Sequence, residues 1–523
     1  MARWRRNTIA NYVGTAWTGV ARLAAIPLYI KFFGIEAFGL IAFYMSLQAI
    51  LSGADFGLAP TLSRVLAKWT AEPGKIQSPR RVFASLERLG IGAAALLFIA
   101  VMLCARYLAF DWLRLVHFSP ITAEYAIMLM GAVGACRWMT NLYRGGLFGL
   151  QRQILLNALQ SGFATLRWFG ALVPLLLMPF GLVGFFWLQL TVAVIELMTY
   201  RVLLLRYVPG RSDGAWTSAF ALGGNGRFAG AMSALSVFGL ILGQMDKIVL
   251  SRVLPLTQFA YYSLATSIAT VFVAIASPIL NSSYPHLTEL VARREQESLI
   301  RSYHHATQLV ALLLIPAAIT FCYVSPMVIS LWTGSGAIAT QIDGIAALLV
   351  LASAVHGMAY MPYALEMANG WVSPSLAHGI ASVTASIPIM LLLVPKYGPI
   401  VAALNWLSVN LALLLIIVPI IHSRLLRGEG RRWYVKDILP SVIASSVTVL
   451  MLYKGIGDWG QMARYTKSES VGLVVGVAVA VFSVTAIVNP VGREALSKIF
   501  RAVRCRRARL CCAKKNCGAR DRN

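Results

Sequence analysis

Long apolar runs dominate the chain and are separated by shorter polar or basic segments. Each run is about 20 residues long, which is the length that an α-helix needs to cross a membrane. Strands of a membrane barrel would instead alternate apolar and polar residues over about 10 positions. The pattern predicts an all-α polytopic membrane protein with about fourteen transmembrane helices. The predicted spans cover roughly 8–31, 37–59, 86–110, 121–146, 154–178, 182–205, 228–253, 258–284, 304–331, 341–368, 374–394, 399–422, 437–454 and 470–489.

Two turns between predicted spans recur later in the chain. The turn that leads into Phe38 is repeated 221 residues later, where a second turn leads into Phe259. The turn at Phe180 is repeated 217 residues later at Tyr397. Parallel repeats related by an axis along the membrane normal are a feature of transporters. The recurrence predicts two pseudo-repeated six-helix lobes, followed by two additional C-terminal helices.

Polar segments between the runs define the predicted domains. The N-terminal six-helix lobe covers 1–206, and a linker rich in Gly and Pro covers 207–227. The C-terminal six-helix lobe covers 228–423, and the additional helix pair covers 424–490. Residues 491–523 form a short, basic tail that holds four of the seven cysteines. Those cysteines lack the paired Cys-x-x-Cys spacing and the neighbouring His of a zinc site, so no metal is predicted.

Composition supports the membrane class and adds an orientation. The chain is 58% hydrophobic and 13% charged, with a net charge of +26, whereas soluble proteins average about 25% charged residues. Its mean hydropathy is +0.70. Lys and Arg gather in the segments that follow even-numbered spans, so the positive-inside rule predicts that both termini are cytoplasmic. No nucleic-acid-binding motif interrupts the runs, and anionic lipids or an anionic substrate are the remaining partners for this charge.

Polar residues recur inside several spans at the spacing of one helix face. Such stripes cannot face lipid, so they predict a shared polar interior. The candidate substrate-cavity residues are Arg22, Gln48, Asp55, Arg137, Asn141, Arg144, Asn157, Gln160, Arg167, Gln244 and Lys247.

Charge near the middle of the spans indicates what this interior binds. Arg22, Arg137 and Arg167 lie there with a single carboxylate, Glu196, which leaves a surplus of positive charge. Arginine is suited to binding phosphate or carboxylate with two hydrogen bonds. Glu196 and Asp246 are the candidate ion-coupling acids, because buried acids in membrane helices often carry protons or ions. The alternative is that these charges only join helices to one another.

The chain lacks the sequence motifs of common enzymes. It has neither a Walker-type phosphate-binding loop nor the His-Glu-x-x-His motif of zinc proteases. No extramembrane segment reaches the size of about 50 residues that a folded domain needs. We therefore predict no enzymatic activity and no cofactor. His356, inside a predicted span, is interpreted as a hydrogen-bonded packing residue.

Four stretches resemble the polysaccharide flippases that translocate O-antigen and exopolysaccharide units. They are NTIANYVGTAWTGVARLAAIPLYIKFFG, SGADFGLAPTLSR, NLYRGGLFGLQRQILLN and QMDKIVLSRVLPLTQFAYYSLA. This family is part of the multidrug/oligosaccharidyl-lipid/polysaccharide exporter superfamily. The resemblance implies two six-helix lobes around a central cationic cavity, and ion-coupled flipping of an undecaprenyl-diphosphate-linked oligosaccharide. It also implies membrane lipids, a polysaccharide polymerase and a chain-length regulator as partners.

Three other functions remain open at this point. A multidrug or cation antiporter of the same superfamily would need acidic groups for its substrates, whereas this chain offers arginines. A membrane-embedded polysaccharide polymerase or ligase would need catalytic acids or a large periplasmic loop. A scaffold for an assembly complex would tolerate neutralisation of every buried arginine.

Overall fold

The computed structural model describes residues 2–53, 57–71, 79–170, 181–208, 240–241, 243–456 and 466–498. For residues 2–13, 15, 71 and 456 the description is of the backbone. Several predictions fall outside the described residues: the candidate Asp55, the linker from residue 209 onward, the tail from residue 499 onward, and parts of the fifth and seventh predicted spans.

Helices account for nearly all of the described chain, and no β-strand occurs within these ranges. In chain order the helices are α1 (Ala2–Gly53), α2 (Leu58–Ala71), α3 (Pro79–Tyr107), α4 (Pro120–Gly149), α5 (Gln153–Phe169), α6 (Gly181–Tyr207), α7 (243–253), α8 (Leu256–Ala292), α9 (Gln296–Thr333), α10 (Gly336–Met358), α11 (Tyr360–Ala368), α12 (Ser373–Tyr397), α13 (Ile400–Ala412), α14 (Val418–Leu425), α15 (Gly430–Arg432), α16 (Leu439–Ile456), α17 (Lys467–Val488) and α18 (490–498). Short π-helical turns cover Leu108–Trp112, Leu413–Ile417 and Trp433–Ile438.

Ten helices in the described part are long and apolar enough to cross a membrane. The predicted class, an all-α multi-pass membrane protein, is confirmed, and the count of about fourteen spans stays a prediction. One of the ten, Ala16–Gly53, joins the first two predicted spans. The backbone of Gly34 within it has φ 82° and ψ 171°, a conformation that favours glycine. Two helical segments therefore meet at this residue, inside the predicted break between residues 31 and 37.

The chain divides into two compact units. Unit 1 comprises Met1–Leu264 and Gly379–Ala402, and unit 2 comprises Ala265–His378 and Ala403–Asn523. The lobe boundaries predicted from the sequence stay a prediction.

In unit 1, α4 is central and packs against α2, α3 and α6, while α1 packs against α5 and α4. Phe83, Trp138 and Tyr200 are buried together where these helices meet. The contact between α2 and α4 is close: a Cβ atom added at Gly149 would lie 2.3 Å from the carbonyl oxygen of Ser63. Glycine is thus required where α4 crosses α2, because any side chain would push the backbones apart.

Both turns of the first sequence repeat contact the connection between α3 and α4. The carboxylate of Glu36, after the first turn, accepts a hydrogen bond from the backbone amide of Val116 at 2.6 Å. The backbone amide of Leu256, after the second turn, donates to the carbonyl of Arg114 at 3.0 Å. The turns also approach each other, since a Cβ atom on Gly39 would lie 2.6 Å from the Leu256 carbonyl oxygen. Two segments that are equivalent in sequence therefore bind one shared connection.

In unit 2, α9 packs against α10, α16 and α17, and α16 packs against α17. Val324, Val449, Val477 and Val481 form the hydrophobic cluster where α9 meets this last helix pair. The close packing of such buried side chains is the main favourable contribution to the free energy of association between these helices.

Candidate functional site

A cavity of about 270 Å³ lies inside unit 1, between α1, α4, α5 and α6. The structure brings seven of the residues predicted from the sequence to its wall: Arg22, Gln48, Arg137, Asn141, Arg144, Arg167 and Glu196. The remaining lining residues are Tyr44, Met45, Ala49, Ser52, Thr140, Trp168 and Gln189.

An ion pair between Arg167 and Glu196 joins α5 to α6 at the wall of this cavity. Both side chains are buried, with 9% and 5% of their surface exposed. The side-chain amide of Gln189 donates to the Arg167 carbonyl at 3.1 Å, and the Tyr29 hydroxyl donates to the Trp168 carbonyl at 2.6 Å. The last carbonyls of a helix have no partner within it, so neighbouring helices complete the end of α5. This capping holds Arg167 in place.

Arg137, Asn141 and Arg144 lie on one face of α4, because residues three and four apart are neighbours on a helix. The guanidinium of Arg144 donates to the side-chain oxygen of Gln160 on α5 at 2.8 Å. Gln160 does not line the cavity, and its contact orients an arginine that does. Asn157, one turn earlier on α5, is buried and packs close to α1: a Cβ atom on Gly14 would lie 2.9 Å from its side-chain oxygen.

The charged lining residues make the cavity strongly cationic. Among the described residues, four arginines and one glutamate reach its wall, which gives these side chains a net charge of +3 when all are ionised. Arg137 and Arg144 are both close enough to Arg167 to interact with it electrostatically. Like charges grouped in a concave, partly buried wall raise the local concentration of ions of opposite sign. The arrangement favours an anionic group inside the cavity.

The predicted residues on α7 lie away from this cavity wall. The ammonium group of Lys247 lies 3.4 Å from the side-chain oxygen of Gln244. Asp246 faces a different neighbour, because its carboxylate accepts a hydrogen bond from the Tyr262 hydroxyl on α8 at 2.7 Å. These three residues are therefore placed apart from the arginine cluster, and their predicted roles stay predictions.

The candidate list from the sequence lacked five polar or aromatic lining residues, Tyr44, Ser52, Thr140, Trp168 and Gln189. Tyr44 lies four residues before Gln48, on the same face of α1, so extending that stripe by one turn would have found it. Thr140 lies next to Asn141 on α4. Trp168 follows Arg167 at the end of α5, where periodicity no longer predicts which side chains face inward.

A second buried polar cluster, also missed, lies in unit 2. One ring nitrogen of His304 contacts the carboxylate of Asp437, and the other lies 3.0 Å from that of Glu429. His304 and Asp437 are 2% and 0% exposed. The ring of His356 lies 2.8 Å from the side-chain oxygen of Asn410, which confirms it as a hydrogen-bonded packing residue. Within the described ranges, no set of His, Cys, Asp and Glu side chains is arranged to hold a metal ion.

The chain matches known proteins through a family model and through its fold. Residues 163–336 match the family described as "Polysaccharide biosynthesis protein". A search of curated proteins gave no match.

Solved structures of two kinds of transporter share the fold. A lipid II flippase MurJ in an inward closed conformation aligns with a TM-score of 0.66 at 12% identity, over 91% of this chain and 97% of that chain. An inward-facing multidrug resistance MATE family transporter of the MOP superfamily aligns with a TM-score of 0.65 at 15% identity, over 78% of this chain and 94% of that chain. A Vibrio cholerae MATE transporter aligns with a TM-score of 0.55 at 13% identity, over 81% of this chain and 99% of that chain. At these identities the likeness concerns the fold.

Proposed function

We propose that this chain, which resembles the polysaccharide flippases and has the fold of the multidrug/oligosaccharidyl-lipid/polysaccharide exporter superfamily, flips a lipid-linked oligosaccharide across the bacterial inner membrane. The substrate in this proposal is an undecaprenyl-diphosphate-linked oligosaccharide destined for polysaccharide or lipopolysaccharide export. The chain works by alternating access, with both termini in the cytoplasm, and it is not an enzyme. A polysaccharide polymerase and a chain-length regulator are the proposed protein partners.

The observation that carries this proposal is the group of four arginines around one cavity in unit 1. A diphosphate that enters the membrane loses its hydration, which is very unfavourable unless other charges replace it. Guanidinium groups bind phosphate oxygens with paired, charge-assisted hydrogen bonds. Because Glu196 offsets only one of the four positive charges, the cavity keeps enough charge to balance a diphosphate diester.

The volume of the cavity limits the size of the group that it can hold. Ligand pockets in proteins commonly measure about 300–1,000 Å³, and this one, at about 270 Å³, is slightly smaller. It suits a compact anionic group and an adjoining sugar better than a whole oligosaccharide. We therefore assign the arginine cluster to the linkage between lipid and sugar, with the rest of the glycan outside this cavity.

The same charge argues against the other transporter function. The fold is shared with multidrug transporters, but a cationic drug would be repelled by a wall with a net charge of +3. A polymerase or ligase would need catalytic groups at the glycan, and Glu196, the acid that lines this wall in the described part of the chain, is paired with Arg167.

Coupling to an ion gradient is assigned to Glu196 and Asp246. Glu196 is 4% exposed and pairs with Arg167, so a coupling ion that binds the Glu196 carboxylate would release an arginine toward the substrate. We expect Glu196→Gln to flatten the pH dependence of transport, because the amide carries no exchangeable charge. An unchanged pH profile would remove Glu196 from the coupling mechanism and leave Asp246 as the candidate.

A charge series at Arg137 tests the function directly. Arg137→Lys keeps the charge but loses the planar fork, so flipping of a labelled lipid-linked oligosaccharide in vesicles should fall partially. Arg137→Ala should lower the rate by about tenfold or more, because a hydrogen bond to a charged group is worth about 1.5–3 kcal/mol. Arg137→Glu should be the most severe, since a carboxylate repels the diphosphate.

The matched control is Arg106→Ala. Arg106 belongs to the last turn of α3, outside the cavity, with its guanidinium 5.5 Å from the Phe110 ring. This variant should transport at the normal rate. Protein abundance in the membrane is measured for every variant. Normal transport by Arg137→Ala, or a loss explained entirely by abundance, would mean that Arg137 only holds the helices together.

A further inference from the structure

The cavity in unit 1 has a neutral polar wall as well as its arginines. Tyr44, Gln48 and Ser52 lie four residues apart along the second segment of α1, and all three line the cavity. Residues at this spacing share one face of a helix. Arg137 and Arg144 reach the cavity from α4, and Arg167 reaches it from α5. Arg22 adds a fourth guanidinium from the first segment of α1. The second segment of α1, called the α1 wall below, offers uncharged hydrogen-bonding groups.

Gln48 lines this wall and holds a buried acceptor. It is 6% exposed, and its amide nitrogen donates to the carbonyl of Met130 at 3.3 Å. That contact sets the orientation of the amide, because the opposite orientation would bring two oxygens together. The side-chain oxygen is buried and has no hydrogen-bond partner among the described residues. Gly134 packs behind the amide, where a Cβ atom would lie 3.3 Å from its nitrogen, so the side chain has little room to turn.

Tyr44 adds a hydroxyl group one turn away. It is 4% exposed, and its ring packs edge-on against Phe186 with 5.6 Å between the ring centroids. The hydroxyl is close enough to Arg137 to interact with it electrostatically. Tyr44 therefore lies between Arg137 and Gln48. A ligand that reaches from the arginines to Gln48 passes this hydroxyl.

We propose that Tyr44 and Gln48 bind the sugar that is attached directly to the diphosphate. This inference rests on the proposed function, since the diphosphate is what places that sugar at the α1 wall. An acceptor that is buried without a hydrogen-bond partner is energetically unfavourable. A ligand that donates a hydrogen bond to this acceptor removes that cost and so stabilises the complex. Sugar hydroxyl and acetamido groups supply donors, and their oxygens accept from a tyrosine hydroxyl. The polyprenyl chain has neither kind of group, so it is not the occupant of this wall.

The apolar lining of the same helix segment is consistent with a sugar ring. Met45 and Ala49 reach the cavity between the polar positions of α1, and they can contact the C–H groups of a ring. Thus hydrogen bonds select the substituents while apolar atoms cover the ring, as in other small-molecule sites. The subsite binds the first sugar and does not select among sugars further along the glycan.

The affinities of two defined lipids distinguish binding at this subsite from binding at the anion site. The probes are undecaprenyl diphosphate esterified with a methyl group and the same lipid with one N-acetylhexosamine in place of the methyl group, so that both carry the same charge, each titrated onto the purified full-length protein in nanodiscs. We expect the sugar to tighten binding by about 3- to 10-fold, the size of one or two net hydrogen bonds. Gln48→Met should abolish this preference, so that the two lipids bind with equal affinity within about twofold. Tyr44→Phe should reduce the preference in part.

Two further variants keep the result interpretable. Gln48→Asn retains the amide but withdraws the acceptor by one methylene, so it tests the geometry if Gln48→Met does not accumulate. Ser46→Ala removes a buried hydroxyl from the same segment, one that bonds to the Ala42 carbonyl at 3.1 Å, and should keep the preference. Equal binding of both lipids by the unmodified protein, or a preference that survives both Gln48 variants, would overturn the subsite but leave the proposed function standing. Failure of both lipids to bind would overturn the proposed function, and the subsite with it.

Discussion

The ion pair between Arg167 and Glu196 supports a prediction that separates stability from transport. Both side chains are almost fully buried. Two unit charges about 4 Å apart attract each other by about 4 kcal/mol at an effective dielectric constant of about 20. Removing one partner of a buried pair costs about 3–5 kcal/mol, because the other charge stays buried without compensation. We therefore expect Glu196→Gln to lower the free energy of unfolding by about 3–5 kcal/mol.

The replacements of Glu196 and of Arg167 should differ in how much each lowers the free energy of unfolding. Glu196→Gln removes the negative charge that pairs with Arg167 and leaves Arg167 beside Arg137 and Arg144. Arg167→Met leaves Glu196 with other arginines at the same wall, so we expect a smaller loss of about 1–3 kcal/mol. The double variant removes both charges and should lie close to the unmodified protein, as replaced buried pairs often do.

The assay is unfolding of the purified protein in mixed micelles titrated with a denaturing detergent, repeated for both single variants and the double variant. The cycle gives the coupling energy between Arg167 and Glu196 directly. Flipping is measured on the same preparations. A double variant that is stable but transports poorly would show that the pair serves transport as well as packing. Losses that simply add, with a coupling energy below about 0.5 kcal/mol, would refute the reasoning.

Three further predictions concern other parts of the chain. His304→Ala should lower the free energy of unfolding by about 1–3 kcal/mol, because the buried carboxylate of Asp437 loses its contact with the ring and keeps only the hydrogen bond from Gln308 among the contacts described; a change below about 0.5 kcal/mol in the same titration would show that the cluster adds no stability. A reporter active only in the periplasm should be active when fused near Gly460 and inactive after Arg432, since Lys and Arg gather on the cytoplasmic side; activity at Arg432 would reverse the last helix pair. Deletion of 504–523 should leave membrane insertion intact, because that segment has no apolar run; loss of the protein from the membrane, measured by fractionation, would contradict this.

Local pattern alone was enough to predict the class of this protein. Apolar runs of about 20 residues specify membrane helices because backbone groups in lipid must be satisfied within the segment. Polar stripes also predicted which helix faces turn inward, and seven of the predicted residues lie around one cavity. The break near Gly34 was visible too, since the turn carries its own sequence signal. These features depend on residues that are close together in the chain, so they can be predicted from the sequence alone.

Pairing between distant residues depended on the tertiary structure. Periodicity placed Arg144 and Gln160 on inward faces but did not reveal that one binds the other. The acids that meet His304 come from more than 120 residues later in the chain, and no local pattern relates such positions. Gln48 was recognised as polar from the sequence. Only the structure shows that its amide nitrogen donates to the Met130 carbonyl and that its oxygen has no hydrogen-bond partner among the described residues. The helices determine which way a side chain points, and their packing decides what it meets, because packing joins segments that the sequence separates.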